Sequence, residues 1–171
     1  MMQGKGFEAL ATTSSGFATT HGLFDGQVTR DEKFEHCRQI LNAVYIPVSA
    51  DMENCFAHEP EGVAETIRLS SEIGLVGCSI DDYDNEQQPS VFDFDLAVAR
   101  DIAGVDAANA MSFPCTITAR AEGVLRKKYD LDKAVRLLKA FEEVGAHALC
   151  APGLTTDKDV RKDIGVGSKP V

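Results

Sequence analysis

Five short apolar runs punctuate this chain, at 7–11, 46–50, 75–80, 114–119 and 146–151, and longer amphipathic stretches separate them. Each run is too short for a free-standing helix and reads as a strand buried on both faces, the pattern of a parallel sheet. Between the runs, apolar residues recur at helical spacing. Phe34, Cys37, Ile40, Leu41 and Val44 do so over 31–44, and Val63, Ile67, Leu69 and Ile73 over 61–73. The stretches 96–105 and 131–144 repeat the pattern, the second through Leu131, Ala134, Val135, Leu138 and Phe141. Thr29 and Glu32 form a capping-box signature, Asp130 and Asp132 put negative charge at a helix start, and Gly74 and Gly145 stand where a left-handed residue closes a helix. Strand centres about 30 to 40 residues apart are spaced as βα repeats. The sequence therefore predicts one α/β domain over 1–171.

Composition removes several function classes. Of 171 residues, 44% are apolar and 26% charged, as in an ordinary globular protein. Seventeen basic against 27 acidic residues leave a net charge of −10, which repels a phosphate backbone, so no nucleic-acid partner is expected. No apolar run nears the roughly 20 residues of a membrane span, and the N-terminal residues lack the apolar core of a signal peptide. Five scattered cysteines without a C-x-x-C pair point to reduced thiols and a cytoplasmic location. Cys78, Cys115 and Cys150 read as small buried hydrophobes, whereas Cys55, in a polar stretch, leaves a reactive-thiol reading open.

Two α/β architectures compete. A doubly wound sheet binding a nucleotide would carry a glycine-rich turn after a strand. None follows any run here, and Gly4-Lys5-Gly6 precedes one. A (β/α)8 barrel gathers its active site at the C-terminal ends of its strands. Those ends read Thr12-Thr13-Ser14-Ser15-Gly16, Asp51-Met52-Glu53-Asn54, Asp81-Asp82-Tyr83-Asp84 and Arg120-Ala121-Glu122, while the strand entries are bland. This asymmetry favours the TIM-barrel type.

Acids crowded at neighbouring strand ends repel one another unless a cation neutralises them. Asp51, Glu53 and Asp81, with Asp82 beside them, offer an all-oxygen donor set that suits Mg²⁺, or Mn²⁺ in its place. One such acid alone would read rather as a helix cap or a solvated loop acid; three at adjacent strand ends favour the metal. Arg120 fits either a substrate carboxylate or phosphonate, or an ion pair with a neighbouring acid. Thr13, Ser14 and Ser15 offer hydroxyls and N–H groups to an anion, or form a plain turn. His21, His36, His58 and His147 share no metal spacing, and His36 and His147 read as structural. The 126–128 basic run reads as a solvated loop face or a minor anion contact, and Asp25 as a turn aspartate.

Taken together, the motifs resemble the isocitrate lyase/phosphoenolpyruvate mutase superfamily, in its generic mutase-like and lyase-like branch. Gly6-Phe7-Glu8-Ala9-Leu10-Ala11-Thr12-Thr13-Ser14-Ser15-Gly16 resembles the second-strand motif, and Pro47-Val48-Ser49-Ala50-Asp51-Met52-Glu53 the metal-binding strand. Gly77-Cys78-Ser79-Ile80-Asp81-Asp82, Thr118-Ala119-Arg120-Ala121-Glu122 and Gly145 to Leu154 are similar to the next three. The resemblance implies a Mg²⁺-dependent carbon–carbon lyase or phosphonomutase-like enzyme. Its substrate would be a small 2-oxo or dicarboxylic acid such as pyruvate, and a metal-stabilised enolate would carry the reaction. By the same resemblance Asp51 is the principal ligand, Glu53 and Asp81 hold metal-bound waters, Thr13, Ser14 and Ser15 cradle the substrate carboxylate, and Arg120 binds substrate oxygen. Asp25 becomes a catalytic candidate, aligned with the aspartate of the loop after the second strand.

Three departures qualify the resemblance. Glu53 stands where the mutases have Asp, and Asp81 where most members have Glu. The gating loop, residues 83–90, has neither the Lys/Arg-Cys-Gly-His of the isocitrate lyases nor the Lys-Thr-Asn of the phosphonate mutases. A complete barrel of this kind runs to about 250 residues. The chain thus reads as an incomplete barrel of about six βα units, lacking the first strand and the last ones. Its open apolar edges predict a homo-oligomer. A second reading is a catalytically inactive barrel fragment that folds only by association.

Overall fold

The computed structural model describes residues 2–85, 90–165 and 167–171. Glu86 to Pro89, part of the loop compared above with the family's gating loop, thus lie outside the described residues. In chain order the elements are β1 (Leu10–Ala11), α1 (Ser14–Thr20), α2 (Arg30–Ala43), β2 (Val48–Asp51), α3 (Pro60–Glu72), β3 (Gly77–Asp81), β4 (Tyr83–Asp84), β5 (Ser90–Val91), α4 (Phe94–Asn109), β6 (Thr116–Arg120), α5 (Leu131–Glu143), β7 (Ala148–Cys150) and α6 (Asp157–Ile164). A single 3₁₀ turn, Gln3–Lys5, precedes them.

Local signals set most helix boundaries. The Thr29 side chain accepts from the Glu32 N–H and the Glu32 carboxylate accepts from the Thr29 N–H at 2.9 Å, which completes the capping box of α2. Asp93 and Asp130 cap α4 and α5 by accepting from Leu96 and Lys133, each at 2.9 Å. Gly74 and Gly145 take φ of 100° and 101° after α3 and α5, a region costly for any residue with a Cβ.

Five strands form one parallel sheet in the order β1-β2-β3-β6-β7, and β4 and β5 make a separate antiparallel hairpin. Each sheet strand lies beside its predecessor, with no reversal of order. That is the singly wound course of a barrel wall, here a parallel half-barrel with its helices between the strands. The Leu149 N–H donates to the Pro170 carbonyl at 2.9 Å, so the segment after α6 returns to the β7 edge.

The strands are not apolar on both faces, contrary to the reading from sequence. On one face Val48, Ala50, Cys78, Ile80, Ile117 and Ala119 are at most 2% exposed and pack under the helices. On the other, register places Ser49, Gly77 and Thr116 in one row and Asp51, Ser79, Thr118 and Ala148 in the next. Small polar residues inside the runs made the alternation easy to miss. The first run also falls short of expectation: only Leu10 and Ala11 pair with β2, while Phe7 is 52% exposed. The Ser/Thr-rich turn expected after it is the first turn of α1.

Candidate active site

The C-terminal ends of β2, β3 and β6 converge on a concave cavity of about 180 Å³, lined by residues that include Thr12, Ser49, Asp51, Ser79, Thr118 and Arg120. Asp51 is held on several sides. Its Oδ2 accepts from the Ser14 N–H at 3.1 Å, its Oδ1 from the Glu53 N–H at 3.2 Å, and its own N–H donates to Thr12 Oγ1 at 3.1 Å. Burial pushes the Asp51 pKa up, but Arg120, these N–H donors and Lys33 outweigh it and hold the group below the usual carboxylate range.

Glu53 sits in a loop that bends sharply: Glu53, Cys55 and Phe56 all take positive φ, between 53° and 59°. Arg100, buried on α4, holds that bend. Its guanidinium donates to the carbonyls of Asn54 and Ala57 at 2.6 Å and His58 at 2.7 Å, and lies 4.0 Å over the Phe92 ring. Burial, then the nearby Asp25 and Asp51 charges, push the Glu53 carboxyl up to about 7.

Asp81 ends β3 with its N–H on the Glu53 carbonyl at 2.8 Å. Its Oδ1 is buried without a hydrogen bond and lies 3.4 Å from Arg120 Nε. Burial first, then Asp51, Glu122 and Asp82, raise its pKa well above the ordinary value against the pull of Arg120. Arg120 is ion-paired with three acids: 3.6 Å to Asp51 Oδ2, 3.4 Å to Asp81 and 2.6 Å to Glu122 Oε1. Of the two readings open for Arg120, the ion pair is therefore present in the structure. Asp82 turns to other partners, accepting from the Glu122 N–H at 2.7 Å and from the Tyr129 hydroxyl at 2.5 Å.

Lys127 and Lys128 are exposed, as a solvated loop face requires, and Arg126 is the exception. It is not a solvated face: its guanidinium bonds Asp25 Oδ2 at 2.9 Å, approaches Glu122 Oε2 at 3.4 Å, and lies 4.6 Å over the Tyr83 ring. Nothing in a separation of 101 residues announces the Asp25 contact. Asp25 is more than a turn residue, since its other oxygen is buried without a partner and its charge reaches Glu53. Thr13 is the N-cap of α1, Ser14 is buried against Asp51, and the exposed Ser15 gives its carbonyl to Thr19. The reactive-thiol reading of Cys55 fails. The residue is fully buried, and desolvation drives its thiol far above the ordinary value. His36 stacks on Phe17 at 3.9 Å, and His147 Nδ1 accepts from the Ile117 N–H at 3.1 Å, so both are structural, as expected.

Two cations escaped the sequence reading, Lys33 and Arg100. Both are at most 1% exposed. A signal was available, because Lys33 shares the helix stripe of Cys37 and Leu41, and Arg100 that of Ala97 and Gly104. Among the described residues, no group of three His, Cys, Asp or Glu side chains is close enough to cage a metal ion. The donors present fit a hydrated hard cation taken directly by one carboxylate, with the others reached through water. A groove of about 430 Å³ lined by Met111, Phe113, Cys115 and His147 lies at the strand entries and holds none of these acids.

Comparison with known proteins bears on the family and the fold. The chain is 42% identical to a Burkholderia cenocepacia J2315 protein classed as a lyase/mutase, with a TM-score of 0.92, over 97% of this chain and 60% of that one. A phosphonopyruvate hydrolase solved with oxalate and Mg²⁺ shares the fold at 18% identity, TM-score 0.86, over 99% of this chain and 60% of that one. "Probable 2-methylisocitrate lyase 2" of Corynebacterium glutamicum is 27% identical over 94% of this chain and 53% of its own length. The chain thus spans about half the length of the curated relatives it matches. No helix among the described residues is long and apolar enough to cross a membrane. Over residues 1–168 the chain matches the phosphoenolpyruvate phosphomutase family, and it belongs to that family, within the isocitrate lyase/PEP mutase superfamily.

Proposed function

We propose that these strand ends form the metal and substrate half of a lyase or mutase site that takes a small 2-oxo or dicarboxylic acid and stabilises enolate charge. One observation carries this reading: Asp51 and Arg120 line one concave cavity, and Asp81, on the strand between them, is ion-paired with Arg120 and has an oxygen buried without a hydrogen bond. Asp51, held ionised, is the direct ligand of a divalent cation, with Mg²⁺ the natural occupant of such oxygen donors. Glu53 and Asp81 accept hydrogen bonds from the water around it. When bound, the cation supplies positive charge where the substrate oxygen becomes negative.

The rest falls to the chain's own groups. Arg120 lines the cavity and binds a substrate oxygen as charge develops on it. Thr13, Ser14 and Ser15 hold the substrate carboxylate at the start of α1, next to Asp51. Asp25, steadied by Arg126 through one oxygen, keeps the other for proton transfer. A cytoplasmic homo-oligomer belongs to the same proposal. It rests on scattered cysteines without a C-x-x-C pair and on β1, an outer strand of the sheet with one strand neighbour.

Thermal unfolding with Mg²⁺, with oxalate and with both tests the reading, because a ligand bound to the native state raises the midpoint. The expected result is a rise with both together, abolished by Asp51→Ala. A cooperative transition that neither ligand moves refutes the site, and the absence of any transition favours the inactive-fragment reading.

A further inference from the structure

Lys33 is fully buried, and its Nζ has no hydrogen-bond partner. Taking an ammonium out of water costs several kcal/mol unless opposite charge compensates. The compensation available here is the acid cluster. Lys33 lies in the first turn of α2, the helix packed on β2, and Asp51 and Glu53 leave the C-terminal end of that same strand. Its charge acts on both acids. On its own helix it acts on Cys37 and His36 as well. A lysine on the Cys37–Leu41 stripe, where packing alone would select an apolar side chain, is otherwise unexplained.

We infer that Lys33 is a resident counter-cation of the carboxylate cluster, a positioning residue that holds Asp51 and Glu53 together against their mutual repulsion and competes with a divalent cation for them. The first half stands on burial, topology and charge alone, and the second rests on the metal reading proposed above. Like charge lowers affinity, so a site with Lys33 binds metal more weakly than the same acids without it.

The test is a double-mutant cycle in urea without metal, using Lys33→Met, Glu53→Gln and the pair, together with calorimetric titration of each folded variant with Mn²⁺. Methionine keeps an unbranched chain one atom shorter and removes the charge. Lys33→Met should lower the urea midpoint when Glu53 is present, and leave or raise it beside Glu53→Gln. Equal shifts in both backgrounds overturn the inference. Lys33→Met should also bind Mn²⁺ at least about fivefold more tightly than the parent chain. Unchanged or weaker binding overturns the competition. If no variant binds Mn²⁺, the metal reading fails, and the urea cycle still decides whether Lys33 counters Glu53. Should Lys33→Met not fold, Lys33→Gln and Lys33→Arg carry the same comparison, with arginine matching the parent and glutamine following the pattern set for methionine.

Discussion

The two faces of one sheet obey different rules. On the helix side, Val48, Ala50, Cys78, Ile80, Ile117 and Ala119 are sealed beneath α2 to α5 and need only volume and apolarity. On the concave side the same strands present Ser49, Asp51, Ser79, Asp81, Thr118 and Arg120, one residue out of phase. Packing accounts for the first set completely. It does not account for the second, where acids sit against one another at a cost that burial increases. Acids crowded in spite of such a cost mark this face as the candidate site.

The largest predicted effect is at Arg120, because one guanidinium serves Asp51, Asp81 and Glu122 together. Arg120→Met should cost about 3–5 kcal/mol of unfolding free energy at neutral pH, since it strands buried acids. It should also erase any joint response to Mg²⁺ and oxalate. On the opposite face Leu138→Ala, at a site with no exposure, should cost about 3 kcal/mol and leave that response intact. Urea unfolding with and without the two ligands separates the cases. If the leucine variant loses the response, the faces are not independent and the comparison breaks.

What was legible in the sequence follows the same division. The helices that pack on the outer face announced themselves through period and, for α2 and α5, through caps, because Thr29 and Asp130 bond N–H groups only three residues away. The strand-end residues Asp51, Asp81 and Arg120 were legible as a set, since chain order puts each at the exit of a recognisable run. Contacts made by distant loops were not. Arg126 reaches Asp25 across 101 residues, and no local pattern encodes that. The β4–β5 hairpin also went unseen, as two-residue strands carry no alternation to detect. Lys33 and Arg100 were hidden by the habit of reading a charged residue in an amphipathic helix as solvent-facing.

A smaller effect, and a sharper test of the concave face, is pH dependence without metal. Glu53 is pushed from an ordinary 4.5 up to about 7, by burial first and then by Asp25 and Asp51. Its folded pKa is raised, so the folded chain binds more protons than the unfolded chain between those values. The stabilisation is complete below about 4.5 and lost as pH rises through about 7. Asp82, raised to about 6, adds a contribution of the same sign. The urea midpoint should therefore fall across this window, and Glu53→Gln, which cannot ionise, should flatten the fall. An unchanged slope in that variant would place the repulsion elsewhere. Mg²⁺ should flatten the parent's slope too, because a cation favours the ionised carboxylate.

The smallest effect locates the border between the two faces. Asp82 follows Asp81 in sequence, yet its partners are the Tyr129 hydroxyl at 2.5 Å and the Glu122 N–H at 2.7 Å. The Tyr129 ring lies against Gly123, where an added Cβ would come within 2.1 Å of a ring carbon, so only glycine admits the tyrosine there. Tyr129→Phe keeps the ring and removes one hydrogen bond to a carboxylate, a loss of about 1–2 kcal/mol. If Asp82 braces the β6 exit and does no more, stability drops by that amount and the joint response to Mg²⁺ and oxalate is unchanged. If the response weakens as well, Asp82 acts through Glu122 on Arg120, and the working face extends one residue further along β3 than the Asp51–Asp81–Arg120 set implies.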